Sequence, residues 1–196
     1  MITLNFIVWI VLLLLVLAAT ATLSVIAFVR PQHRLMAWLA AAGLAAAVAL
    51  AALAGDELPP AIAGMITALA LVAAVFGGGP AASTALDLAM GRSAVPGLHG
   101  GILVTDSKAD TPPGALPARR EVLRGGTTIG VLERLAAAGT IVAGFPEGLA
   151  IVVAVKGVGR FTELEAPEAR ERFIIGTLAS LIWACAAGLV VHLALR

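Results

Sequence analysis

The chain is written as long apolar runs broken by short polar stretches. Leu4 to Val29 carries no charged residue. It exceeds the roughly 20 apolar residues that a membrane-crossing helix needs. Arg30, Pro31, His33 and Arg34 end it, because proline cannot continue a helix interior and the charges prefer water. A second run follows at 35–54 and a third at 61–76, with the polar turn Gly55 to Pro60 between them. Gly77, Gly78, Gly79 and Pro80 read as the stop of the third helix. The remaining runs predict helices at 127–144, 147–160 and 172–195. The turn Gly144 to Gly148 makes the fourth and fifth a helical hairpin near residues 127–160, and Pro167 suits the first turn of the sixth.

Residues 81–126 interrupt this pattern. They are rich in Gly, Pro and small polar residues and read as a loop. Ser83 to Gly91 suggests a short helix capped by Ser83 or Thr84. Gly100 to Asp106 suggests a short extended piece, and Ser107 to Arg120 a mobile segment. A loop of this length is usually functional or disordered.

Composition fixes the class. Of the 196 residues, 60% are hydrophobic and 13% charged, with a mean hydropathy of +1.02. Soluble domains are about 45–50% apolar and about 25% charged, so the chain reads as a single integral membrane domain, 1–196. The fold class it predicts is an all-α polytopic transmembrane bundle of about six hydrophobic helices. Leu4 to Val29 reads as a retained helix rather than a signal peptide, since no Lys or Arg precedes the run and it is too long for a signal core.

Charge adds orientation. Arg30 and Arg34, then Arg92, Lys108, Arg119, Arg120 and Arg124, then Lys156, Arg160, Arg170 and Arg172 fall on alternate connections. The other connections hold Asp56, Glu57 and Glu147 without Lys or Arg. The positive-inside rule places the 81–126 loop in the cytoplasm and both termini outside. A net charge of +1 with no basic, aromatic-interleaved patch argues against nucleic acid as a partner.

The hairpin carries the charges that lipid tolerates least. If the chain reverses at Phe145 and Pro146, Glu133 lies level with about residue 158 and Arg134 with about residue 157. Lys156 and Arg160 bracket those levels, and Glu171 enters from the same side. Glu133, Arg134, Lys156, Arg160 and Glu171 therefore form the candidate charge cluster, structural or ligand-binding. Glu133 lies only about 9 Å from the helix start, and Arg134 points about 100° away from it around the helix. One of the two faces the bundle while the other snorkels.

Other chemistry is thin. Cys185 is the only cysteine, so no cysteine-based zinc cluster or intrachain disulfide forms. His33, His99 and His192 have no metal-ligand spacing, and no serine sits in a nucleophile motif. No catalytic residue, metal or cofactor is predicted. Glycines at helical spacing, such as Gly126 and Gly130, point to close helix packing.

Three stretches carry a resemblance: "GTTIGVLER" from Gly126 to Arg134, "AVKGVGRFTEL" from Ala154 to Leu164, and "ERFIIGTLAS" from Glu171 to Ser180. Together they resemble a family of bacterial, largely actinobacterial, integral membrane proteins of unassigned function. The likeness spans the C-terminal third and includes the candidate cluster, with Arg172 where related modules often carry an aromatic residue. It implies a membrane protein and no particular activity. The expected function is binding or moving a small solute or lipid, or assembly with a membrane partner or further copies of itself. The competing expectation is a membrane-embedded enzyme acting on a lipid phosphate at the cytoplasmic face.

Overall fold

The computed structural model describes residues 4–54, 57–90, 102–105, 119–122, 126–159 and 167–196. Among these, six helices form a bundle: α1 (Leu4–Val29), α2 (Arg34–Ala51), α3 (Pro60–Met90), α4 (Gly126–Val142), α5 (Gly148–Gly159) and α6 (Pro167–Ala194). α1, α2, α3 and the Arg170–Ala194 part of α6 are long and apolar enough to cross a membrane. α4 and α5 are shorter, at 17 and 12 residues. Between α3 and α4, β1 (Ile102–Thr105) pairs antiparallel with β2 (Arg119–Val122), Ile102 opposite Val122 and Thr105 opposite Arg119. β1 falls inside the stretch expected to be extended. Residues 106–118, most of the segment expected to be mobile, lie outside the described residues.

The long helices bury a stripe rich in small residues and turn large apolar ones outward. On α1, Leu13, Leu17, Thr20, Ala21, Ser24 and Ala27 are buried at helical spacing. Ile7, Val8, Val11, Leu12 and Leu15 on the same helix are exposed. In water such a surface would be a liability; against lipid tails it is the expected exterior. α2 buries Ala40, Leu44, Ala47 and Ala51, and α6 buries Ala184, Ala187, Val190 and Val191. Alanine at the contacts lets the backbones approach closely. α3 is the centre, packed against α1, α2, α4 and α6, and its main partner α6 also packs on α2 and α4.

α3 departs most from the pattern. It does not stop at the glycine run but continues through Pro80 to Met90, 31 residues in all. The expected loop boundary at 81 is therefore corrected to the end of this helix. Ser83 and Thr84 cap nothing; Thr84 donates its hydroxyl hydrogen bond to the Pro80 carbonyl one turn back, 2.8 Å away. The glycines fit because three other helices press on them. A Cβ at Gly77 would lie 2.4 Å from the Trp183 ring of α6, and one at Gly78 would lie 2.2 Å from Arg134 Cδ of α4. Gly79 faces Phe28 of α1. Pro80 offers no N–H to the helix. In the turns before it, Trp183 Nε1 donates to the Ala73 carbonyl and Arg134 Nε to the Val75 carbonyl. Donors from neighbouring helices in this way let a membrane helix keep a proline.

The α4–α5 hairpin closes through a Schellman turn. Phe145 N–H donates to the Thr140 carbonyl at 2.9 Å and Gly144 N–H to Ile141 at 3.1 Å, with Gly144 at φ +70°. Pro146 and Glu147 then lead into α5, whose Gly148 packs on Thr140.

Candidate ligand cavity at the charged end of the bundle

The C-terminal ends of α1, α3 and α5 meet the N-terminal ends of α2, α4 and α6 around a cavity of about 530 Å³. Its charged lining is Arg34, Asp87, Glu133, Arg134, Lys156 and Arg172. Phe28, Pro31, Leu86, Ile129 and Phe173 supply apolar wall. His33, Ser83, Thr84, Thr177, Ser180 and the first turn of α4 at Gly126 and Thr127 add to the polar part.

Two ion pairs brace it. Lys156 Nζ donates to Glu133 Oε2 across the α4–α5 hairpin, and both side chains are largely buried. The Lys156 ammonium also lies 5.6 Å from the centre of the Phe173 ring on α6. Together these contacts tie the C-terminal end of α5 to both α4 and α6. On the other side of the cavity Arg34 Nη2 meets Asp87 Oδ2 at 2.9 Å, joining the start of α2 to the extension of α3. Its arginine side chain is half exposed, so this pair contributes modestly to stability.

Arg134 is the most buried charge, only 5% exposed. Its side chain passes over Gly78 and beside Gly130. Nε donates to the Val75 carbonyl at 2.7 Å and Nη1 to Ser180 Oγ at 3.2 Å. An unpaired cation at membrane depth is costly, and these bonds with Glu133 next in sequence offset that cost. Of the adjacent pair, Arg134 faces the bundle, while Glu133 reaches sideways to Lys156.

The expected cluster is thus assembled in part. Glu133, Arg134 and Lys156 lie on one cavity wall. Arg160 lies outside the described residues. Glu171 is exposed, and among the described residues no ion pair joins it to Arg134 or Lys156. The neighbouring helix position, Arg172, lines the cavity instead. One residue along a helix turns a side chain by about 100°, enough to exchange the two. Arg34, Asp87, Arg172 and Ser180 are the site residues that sequence reasoning did not place there. Asp87 is obscured in the sequence because the short helix expected at Ser83 to Gly91 is separated from the third helix, of which it is the continuation; Arg172 differs from Glu171 only in helical phase. Among the described residues, no group of three His, Cys, Asp or Glu is arranged to hold a metal ion.

No family model, curated protein or solved structure matches the chain. The functional reading accordingly rests on the cavity itself.

Proposed function

We propose that this is a small multi-pass membrane protein that binds, or binds and moves, a small solute or a lipid in the cavity at the charged end of its bundle. The observation that carries this reading is a cavity of about 530 Å³ lined by six charged side chains among apolar walls. That volume lies within the range of small-molecule sites, which are mainly apolar with a few convergent polar groups. An assembly subunit using these charges only as cross-braces would pack them together and leave no such space. The alternation of Lys and Arg along the chain supports a cytoplasmic orientation for this end. The C-terminal likeness to bacterial membrane proteins supports a bacterial cytoplasmic membrane. The enzyme reading has less support, because no nucleophile and base meet in the cavity and no metal-ligand group adjoins it among the described residues.

Native mass spectrometry of the detergent-solubilised protein tests the proposal. A bound small molecule or lipid is expected on the native protein and is lost in Thr177→Trp, which fills the cavity. A bare protein, or identical adducts on both forms, refutes it.

A further inference from the structure

Among the described residues, the charges around the cavity do not balance. Its lining holds four cations, Arg34, Arg134, Lys156 and Arg172, and two carboxylates, Asp87 and Glu133. Each carboxylate is already committed, Asp87 to Arg34 and Glu133 to Lys156. Among the described residues, Arg134 and Arg172 remain without a carboxylate in an ion pair. Arg134 spends Nε and Nη1 on the bundle. Arg172 is in a different state: its Nε is buried and has no hydrogen-bond partner. A buried guanidinium N–H without an acceptor is expensive, and each such group calls for an explanation.

An acceptor in the cavity supplies one. We infer that the cavity holds a tetrahedral oxyanion with close to two negative charges, a phosphate monoester group, with Arg172 as its principal ligand. This rests on the ligand-cavity reading above and specifies its ligand. Three observations select the chemistry. Two arginines without a carboxylate in an ion pair among the described residues suit a phosphate monoester, which carries about −1.5 to −2 near neutral pH, better than a carboxylate. An arginine fork is suited to paired phosphate oxygens. The opening turn of α4, at Gly126 and Thr127, brings backbone N–H groups and the positive end of the helix dipole to the same cavity. The apolar wall formed by Phe28, Leu86, Ile129 and Phe173 has no use for a bare ion but accommodates the first carbons attached to a phosphate. Glu133 remains on Lys156, where it keeps that ammonium from neutralising the ligand and sets the charge the cavity can take.

Phosphate of this kind reaches the cavity from two sources, a lipid headgroup or a soluble phosphate. Thermal unfolding of the full chain in an uncharged detergent separates them. The probes are short-chain phosphatidic acid, inorganic phosphate, and phosphatidylcholine of the same chain length. Phosphatidic acid is expected to raise the melting temperature and phosphatidylcholine not to. A response to phosphatidic acid alone identifies a lipid source; a comparable response to inorganic phosphate identifies a soluble one, and either supports the assignment. Arg172→Gln is expected to weaken the apparent Kd for the responding probe about tenfold to a hundredfold, the usual effect of losing a charged hydrogen bond. Its melting temperature without probe should change little, since Arg172 Nε holds nothing in the free protein. If Arg172→Gln does not fold, the comparison of the two lipids on the native chain still decides. Equal responses to both lipids, or an undiminished response in Arg172→Gln, overturn the oxyanion. In that case an adduct lost in Thr177→Trp leaves the ligand cavity standing, whereas failure of both experiments removes the cavity reading as well.

Discussion

Arg134 of α4 crosses α3 at Gly78, and the two residues leave no room for a methyl group between them: a Cβ at Gly78 would lie 2.2 Å from Arg134 Cδ and 3.1 Å from Ser180 Oγ. The glycine is what admits the arginine to the Val75 carbonyl. Gly78→Ala is therefore expected to lower stability by about 1–3 kcal/mol, the usual range for overpacking. Gly79→Ala is the internal control, because its Cβ would meet Phe28 at 3.6 Å, an ordinary contact. Relief of a helix-interior glycine there is worth roughly 0.5–1 kcal/mol. Melting curves in detergent check the contrast; equal effects at the two positions would show that Arg134 yields without cost.

The Glu133–Lys156 pair predicts a double-mutant cycle. Glu133→Ala leaves the Lys156 ammonium largely buried without its counter-ion. Breaking a fully buried pair costs about 3–5 kcal/mol, and a pair near an interface less. Removing Lys156 as well is expected to recover part of the loss. Additive losses in the two single variants would mean the residues do not stabilise each other across the hairpin.

The hairpin turn predicts its own sensitivity. Gly144 has φ +70°, and the left-handed region costs an ordinary L-residue about 1–2 kcal/mol. Gly144→Ala is expected to destabilise by about that amount, and Gly144→Asn by less, since asparagine tolerates the region better. Thermal unfolding of the two variants side by side measures the order.

Orientation is tested by reporters. One fused after Arg196 is expected to read outside and one inserted at Lys108 inside, following the Lys and Arg alternation. Both on one side would invalidate the assignment of the charged end to the cytoplasm.

Much of this architecture is legible in the sequence, because lipid enforces a simple rule: apolar runs of the right length become helices. The hairpin register follows from the turn at Phe145 and Pro146 alone, and it brings Glu133 to Lys156. The run Gly77 to Pro80 misleads for a physical reason. Taken by itself it is a helix stop, and only Trp183, Arg134 and Phe28, contributed by three distant segments, make its lack of side chains an advantage. The error spreads to the site. With α3 ended early, Asp87 falls on a separate short helix of unknown placement, and its pairing with Arg34 disappears from view. The exchange of Glu171 for Arg172 has a different origin. It lies in the helical phase of α6, which charge counting does not fix.

The length of α5 has a consequence for the surrounding bilayer. Twelve residues rise only about 18 Å, against a hydrocarbon core of about 30 Å. Ile151, Val155 and Val158 on this helix are exposed, so its apolar height is presented outward. Lipids alongside a helix of that height would have to shorten or sink their headgroups to match it. Lys156 stands near the end of that short helix and on the cavity wall. A bilayer of thinner core is therefore expected to match this part of the protein with least strain.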